Sequence, residues 1–583
     1  MRPGPTMDRT GIYGLFRLDS APIDAREAAT LGFELPGPPT AALARAVDLA
    51  DPDAVHLSQS DDALTLLLGH LDDPAAVAAR LGMAAETPRV TLADAALRRF
   101  GPDVRQVMAG EWTLLHRDAG RITLACSIAQ RDPLLYAREG DRVAIGPDLR
   151  QLGRIDWIGD ALDDVGVLFA VGRQGLRAAM AGRTALARVR MLEPGGFVTL
   201  DRAGSQVAPR AVPAPAPRWR GRFEDAVAET GALLNEIVRQ RIGAPRIGCM
   251  VSGGLDSSTV AWLATRNRRP DTLLSFLTSA APADSGLADE TEFAQIVADH
   301  LGAPLTHVIP DEEPHLYRPS AVQLRERNGP LLGPRHYLYD AFAGHAQAHA
   351  IPLLLDGQYG EFTLTNPFPL SSWRDRLRRR LHATRRKESA EPGAAFHLFM
   401  APHRLAALPD AVAAAVAASA PPGPPRMPAP GDLWGILAGT EKAMLAPASL
   451  ALGRVRIALP FRDPRLLTLF SGFPAGMLQR PGQNRAPVRH LLTGHLPDSI
   501  RLRPKGLAFS PDYFERLTRQ APAARARIGT FRKAGADEWL DLDALDAALE
   551  RIAGGAARGR QEILTAQLTA MAAEFIAWWR GVS

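Results

Sequence analysis

Cysteine is almost missing from this chain: Cys126 and Cys249 are the only two among 583 residues. Two thiols supply neither a disulfide framework nor a thiolate zinc site, and both sit in apolar, strand-like stretches that suit buried structural cysteines. Long hydrophobic runs are missing too. No stretch approaches the roughly eighteen apolar residues of a membrane helix, and the opening Met1-Arg2-Pro3-Gly4-Pro5 lacks the apolar core of a signal peptide. These absences predict a cytoplasmic protein with no membrane span. Charge of one sign does not dominate, with 68 Lys+Arg against 63 Asp+Glu, and its even spread gives no case for nucleic acid as a partner. The exception is Arg374 to Lys387, a basic run dense enough to attract a polyanion or an acidic peptide. A solvated face of an insertion is the plainer account of it.

What is present divides the chain. At one domain per roughly 150 residues, two to four domains are expected. Residues 10–205 carry short alternating segments such as Thr113-Leu114-Leu115-His116, Arg121 to Cys126 and Arg142 to Gly146, the pattern of strands in an α+β sandwich domain. Residues 206–221 contain Ala211-Val212-Pro213-Ala214-Pro215-Ala216-Pro217, a tether that can form neither helix nor central strand. From 222 to 583 helical spacing alternates with apolar strands: Phe223 to Ile242, then Ile247 to Val251, then Thr272 to Thr278. Such alternation predicts an α/β doubly wound parallel sheet with its ligand at the carboxyl ends of the strands. Pro409 to Pro430 reads as a surface excursion, and the part after Leu433 as mainly helical.

The most informative stretch is Val251-Ser252-Gly253-Gly254-Leu255-Asp256-Ser257-Ser258. It joins an apolar strand to the start of an amphipathic helix. Two glycines let the backbone approach a ligand closely, while the first N–H groups of the helix form an anion site. The hydroxyls of Ser252, Ser257 and Ser258 add donors. Asp256 would repel phosphates unless a divalent cation stood between them, so the stretch implies ATP with Mg2+. Its spacing is not that of the P-loop.

This loop resembles the Ser-Gly-Gly-x-Asp-Ser signature of the ATP-pyrophosphatase family. The second part of the chain is similar to the asparagine synthetase superfamily over about residues 220–520. The resemblance rests also on Asp289-Glu290-Thr291-Glu292, on Leu353-Leu354-Leu355-Asp356-Gly357-Gln358-Tyr359-Gly360-Glu361, on Pro460-Phe461-Arg462-Asp463, and on Arg489-His490-Leu491-Leu492 leading to Arg503-Pro504-Lys505-Gly506. It implies nucleotide contacts from Asp356, Gly357 and Gln358, Mg2+ ligation by Asp256 and Glu361, and a catalytic Lys505 that steadies charge on the α-phosphate and the oxyanion. The loop has drifted. Asp356 stands in place of a serine, Glu361 in place of an aspartate, and Gln358 in place of the glutamate that handles protons on incoming ammonia.

The first part resembles class II glutamine amidotransferase domains, which have an Ntn-hydrolase-like sandwich. Gly11-Ile12-Tyr13-Gly14-Leu15-Phe16 is similar to their opening strand, and Arg131-Asp132-Pro133-Leu134-Leu135-Tyr136 to a shortened form of a later segment. Their nucleophile is an N-terminal cysteine whose own free amine acts as base. Thr10 occupies that place here with nine residues before it, and a start at Met7 would not free its amine. A glutaminase fold without glutaminase activity is expected.

With ammonia chemistry disfavoured at both ends, the amine is expected to belong to an organic substrate. Two branches of the superfamily close rings in this way: β-lactam synthetases and lasso peptide cyclases. The long 370–430 excursion and its basic run favour a peptide. The resemblance then implies a precursor peptide as substrate, with a leader-binding protein and a leader peptidase as partners. An asparagine synthase-like ligase using free ammonia, a β-lactam synthetase and a non-catalytic nucleotide-binding scaffold are the rival readings.

Overall fold

The computed structural model describes residues 7–34, 40–60, 63–118, 120–130, 132–172, 182–281, 289–311, 315–330, 333, 335–364, 399–407, 449–480, 483–504 and 512–582. The basic run at 374–387, the proline-alanine stretch at 409–430, Arg131 and Lys505 lie outside these residues.

Two antiparallel sheets form the first part. Strands β1 (Gly11–Arg17), β2 (Ala42–Val47), β7 (Leu134–Glu139), β8 (Arg142–Gly146) and β9 (Val189–Leu192) make a five-stranded sheet in the order β2-β1-β8-β7-β9. Strands β3 (Val55–Gln59), β4 (Ala63–Leu71), β5 (Gly110–Asp118), β6 (Arg121–Cys126), β10 (Phe197–Asp201) and β11 (Gly204–Val207) make the second, in the order β11-β10-β6-β5-β4-β3. Alternation along each strand sends one set of side chains between the sheets. Phe16, Leu66, Leu68, Leu115, Ile122, Leu124, Val143 and Ile145 form that inner core. Helices Pro74–Leu81 and Arg89–Phe100 cover the outer face of the larger sheet, meeting Leu67, Leu114 and the fully buried Trp112. This is the α+β sandwich that the strand pattern predicts, and Cys126 is buried within it.

The second part is a doubly wound sheet. Strands β12 (Arg246–Met250), β13 (Leu273–Ser279), β14 (Leu305–Val308), β15 (Leu353–Asp356) and β17 (Val455–Ala458) run parallel, with the two-residue β16 (Ser449–Leu450) antiparallel at one edge. Their order is β14-β13-β12-β15-β17-β16. The chain leaves β12 toward one edge and returns to build the other half from β15, so the switch point lies between these two strands. Ligands of open α/β sheets bind at such a point.

The two parts share a core. Leu15, Leu135, Ala137 and Ala144, on the outer face of the smaller sheet, belong to one continuous apolar cluster with Leu517, Leu545, Leu549 and Phe575 of helices Tyr513–Ala526, Leu542–Ala553 and Arg560–Trp579. Charge joins them as well. Arg241, at the end of helix Phe223–Arg241, reaches Asp72 at 2.7 Å, Glu111 at 3.3 Å and Asp463 at 3.3 Å, and Arg465 reaches Asp72 at 3.0 Å and Asp463 at 2.8 Å. Burial pushes the Asp72 carboxyl up, against the pull of both arginines. Burial also opposes ionisation of Asp463, but Arg465 and Arg241 outweigh it and hold that carboxyl below its ordinary value.

Removing one member of a buried charge network leaves the others uncompensated, at a cost of about 3–5 kcal/mol. Arg241→Met is expected to destabilise the chain by that order, read as a lowered calorimetric unfolding midpoint. Unchanged midpoints would show that these charges are hydrated and not structural.

Candidate active site

The predicted nucleotide loop lies at the switch point. Val251 is buried and extends β12 by donating its N–H to Leu277 O at 2.8 Å. Ser252, Gly254, Asp256 and Ser257 are half-buried at the turn, and Leu255 opens the helix Leu255–Asn267. No side chain caps that helix. Its first N–H groups are therefore the anion donors that an uncapped helix start provides. Ser257 shapes the turn, accepting from Ser252 N–H at 3.2 Å and donating to Gly254 O at 3.2 Å. Ser258 is fully buried, with its N–H on Gly254 O at 3.0 Å and its hydroxyl without a hydrogen-bond partner among the described residues.

The segment after β15 folds directly against this turn. Met250 and Asp356 are register partners, so the two loops leave the sheet side by side. A Cβ on Gly360 would stand 2.2 Å from Asp256 Cγ, so only glycine admits the contact. Asp356 and Gly357 are buried, Gln358 half-buried and Glu361 exposed. Asp356 Oδ2 accepts from the Tyr339 hydroxyl at 3.1 Å, its Oδ1 accepts from Gln358 N–H at 3.0 Å, and the Gln358 side-chain amide donates to the Tyr339 oxygen.

Asp256 and Glu361 face one another closely enough for charge to count. Burial raises the Asp256 carboxyl to about 6; Arg485 pulls it down, and Glu361 pushes it up. Asp256 Oδ1 is buried without a hydrogen-bond partner. An orphaned carboxylate oxygen beside a second carboxylate fits a divalent cation. Among the described residues no group of three or more His, Cys, Asp or Glu could hold a metal by itself. Two carboxylates suit Mg2+ carried in on a nucleotide, since that ion keeps waters and phosphate oxygens as its other ligands.

Three arginines to which the sequence assigns no role organise the site; Arg489 and Arg503 stand in the motifs around Lys505, and Arg485 stands in none. Arg485 lies 2.5 Å from Asp256 Oδ2 and only 7% of its side chain is exposed. Its backbone is left-handed, with φ 56°, a conformation that costs a residue with a Cβ about 1–3 kcal/mol and collects at functional sites. Arg503, two residues before Lys505, pairs with Glu290, donates to Gly253 O at 3.3 Å and lies 3.5 Å over the Phe293 ring. Arg489 donates to Arg503 O at 3.1 Å and to Asn484 O at 2.9 Å. The chain leading to Lys505 is thus tied to the nucleotide loop. Of the acidic helix start, Asp289 accepts from Thr291 N–H at 3.2 Å and Oγ1 at 2.6 Å, a local turn role, whereas Glu290 reaches the site through Arg503.

At the other end, Thr10 is buried. Its N–H donates to Leu452 O at 3.0 Å, and its hydroxyl donates to Gly453 O at 3.3 Å and accepts from Leu49 N–H at 3.0 Å. A Cβ on Gly453 would meet Thr10 Oγ1 at 2.2 Å. No room is left for a substrate at this hydroxyl.

Residues 229–420 and 448–580 match the asparagine synthase family. That is more than half of the chain, which therefore belongs to this family of ATP-dependent amide ligases, whose members use ATP, typically with Mg2+. No curated protein matches in sequence. Among solved structures the chain is similar to glutamine phosphoribosylpyrophosphate amidotransferase from B. subtilis complexed with ADP and GMP, at 9% identity and TM-score 0.23, covering 61% of this chain and 72% of that one. It is also similar to a structure titled as the allosteric regulatory enzyme of purine biosynthesis, at 10% identity and TM-score 0.22, covering 60% and 69%. Likeness at that level says nothing of activity.

Affinity for MgATP is expected to rise as pH climbs through about 6, because only ionised Asp256 offers the cation a charge. Titration calorimetry across pH 5–7.5 should show this rise, and Asp256→Asn should weaken binding by about 10–100-fold and flatten the profile. Binding that is unaltered in the variant would remove Asp256 from the cation site.

Proposed function

We propose that the chain is an ATP-dependent macrolactam synthetase of the lasso peptide cyclase type. It adenylates an Asp or Glu side-chain carboxylate of a precursor peptide, releasing pyrophosphate, and the peptide's own N-terminal amine then displaces AMP to give an isopeptide ring. The observation that carries this reading is the switch-point loop pair: a phosphate cradle at 252–257 packed against a loop in which Gln358 replaces the ammonia-handling glutamate. An amide cannot accept a proton at neutral pH, and Thr10 is sealed against the 451–453 backbone. With Thr10 sealed and the glutamate at 358 replaced by glutamine, the nucleophile in this reading is an amine that the substrate brings.

In this reading the helix start at 255–257 and the hydroxyl of Ser252 bind the phosphates, and Asp356, Gly357 and Gln358 line the nucleotide's other side. Mg2+ held by Asp256 and Glu361 would offset charge on the phosphates as pyrophosphate departs. Arg485, already buried against Asp256, supplies a guanidinium beside the same phosphates. Lys505 supplies the ammonium that steadies the oxyanion at the acyl carbon. Holding both ends of one peptide turns amide formation into an intramolecular step. The amidotransferase-like part, residues 10–205, acts as scaffold without glutaminase activity. We place the protein in the cytoplasm, working with a leader-binding protein and a leader peptidase. None of the helices among the described residues is long and apolar enough to cross a membrane.

Synthetic peptides with a free N-terminal glycine and one Asp or Glu at stepped positions test this reading, alongside any short precursor encoded near the gene. Pyrophosphate release and a product lighter by one water are expected with a subset of them, and Lys505→Ala should lower both by about 10²–10³-fold. Turnover of aspartate with ammonium would establish an asparagine synthase-like ligase instead. Exchange stimulated only by a small β-amino acid derivative would favour a β-lactam synthetase, and no release with any of these would leave a nucleotide-binding scaffold.

A further inference from the structure

Aminolysis of an acyl-adenylate sheds protons from nitrogen. A free α-amino group has an ordinary pKa of about 7.7–8.0, so at neutral pH much of it must lose one proton before attack and all of it another as the amide forms. An acceptor is required within hydrogen-bond reach. At the carboxyl ends of β12 and β15 the described candidates are few. Asp256 is paired with Arg485 and lies with Glu361 on the phosphate side. Gln358 carries an amide. Tyr339 keeps its proton, because burial and then the adjoining Asp356 carboxylate hold its hydroxyl well above the ordinary phenol value. Asp356 is left.

Its surroundings suit the task. Tyr339 is 8% exposed and Asp356 7%, so both are buried at the switch point. The bonds around them have a direction. The tyrosine hydrogen is committed to Asp356 Oδ2, so the tyrosine oxygen must accept, and it accepts from the Gln358 side-chain amide. The Gln358 N–H fixes the other carboxylate oxygen. Measured against the asparagine synthetase pattern, the loop has exchanged serine for aspartate at 356 and glutamate for glutamine at 358. The carboxylate has been moved, not lost, and both altered side chains converge on Tyr339.

We propose that Asp356 is the proton acceptor for the attacking amine, with Tyr339 and Gln358 as its positioning residues; this rests on the ligase reading above. The nitrogen lone pair forms the bond to the acyl carbon. The bond from that carbon to the AMP oxygen breaks, its electron pair leaving on the phosphate, and the proton shed by nitrogen passes to the Asp356 carboxylate and from there to water.

Three rates measured on the full chain with ATP, Mg2+ and the peptide panel test the assignment: ATP–pyrophosphate exchange, hydroxamate formation on adding hydroxylamine, and ring closure by mass spectrometry. Hydroxylamine is largely unprotonated at neutral pH and needs little help from a base. Asp356→Asn also alters the loop that lines the nucleotide, so closure is read against the other two rates in the same variant: ring closure is expected to fall about 10²–10⁴-fold further than exchange or hydroxamate formation. Tyr339→Phe should slow closure about tenfold with exchange intact. The double variant Asp356→Asn with Gln358→Glu, which returns the carboxylate to position 358, should recover closure in part, an outcome that a merely structural role for Asp356 would not give. Equal loss of exchange and closure in Asp356→Asn, or closure at the wild-type rate, overturns the proposal. A wild-type chain that gives no exchange with any peptide overturns the ligase reading itself, and this inference with it.

Discussion

Two loops from neighbouring parallel strands are pressed together at the point where the sheet reverses its winding, and the contact leaves no space for side chains. A Cβ at 357 would lie 2.5 Å from Ser257 N, and one at 360 would overlap the Asp256 carboxylate. This closeness has two consequences. It sets Asp256 and Glu361 within electrostatic reach, which with burial raises the Asp256 carboxyl. It also brings the β15 loop, with Asp356, Gln358 and their partner Tyr339, beside the 252–257 turn. Charge at the cradle is then balanced locally: Arg485 answers Asp256, and Arg503 answers Glu290.

Much of this was legible from residue chemistry at short range. The turn after β12 declares itself because glycine, serine and aspartate at fixed spacing between an apolar strand and a helix serve few purposes other than phosphate binding. The alternation in β5, β6 and β8, and the helix from Phe223, follow from hydrophobic period alone. Arg485 left no such mark. Its left-handed backbone and its reach to Asp256, 229 positions away in sequence, are decided by packing, and an arginine before a short helix looks like any surface cation. Tyr339 is equally silent: it sits in helix His336–Ala348 among residues spaced for burial, and only the fold turns its hydroxyl toward Asp356.

Domain organisation shows a subtler limit. Composition marks a tether and a domain boundary near residues 206–221 but says nothing of how closely the two domains pack. The structure carries a shared apolar core, since the outer face of the smaller sheet is completed by helices from the far end of the chain. Sequence periodicity reports that a strand face is apolar but not what covers it. The Arg241 and Arg465 network adds the same tie in charge: Asp72 and Glu111 come from the first part, while Asp463, within the Pro-Phe-x-Asp segment, comes from the second.

The corner at Thr10 makes the tie informative. On the amidotransferase resemblance this is where a nucleophile with a free amine would stand, open to glutamine. Here its N–H and hydroxyl are spent on the 452–453 carbonyls, and Arg9 beside it donates to Arg325 O and, at 2.6 Å, to Glu326 O. Asp148 and Asp8 hold Arg325 in turn, at 2.6 Å and 2.9 Å. The N–H and hydroxyl of Thr10 and the guanidinium of Arg9 are thus contacts between the two parts. That corner is an anchor, and an anchor at 451–453 steadies β17, the strand beside β15. Under the proposed ligase reading, the sealed Thr10 corner and the carboxylate at 356 belong to one change of chemistry at opposite ends of the same scaffold.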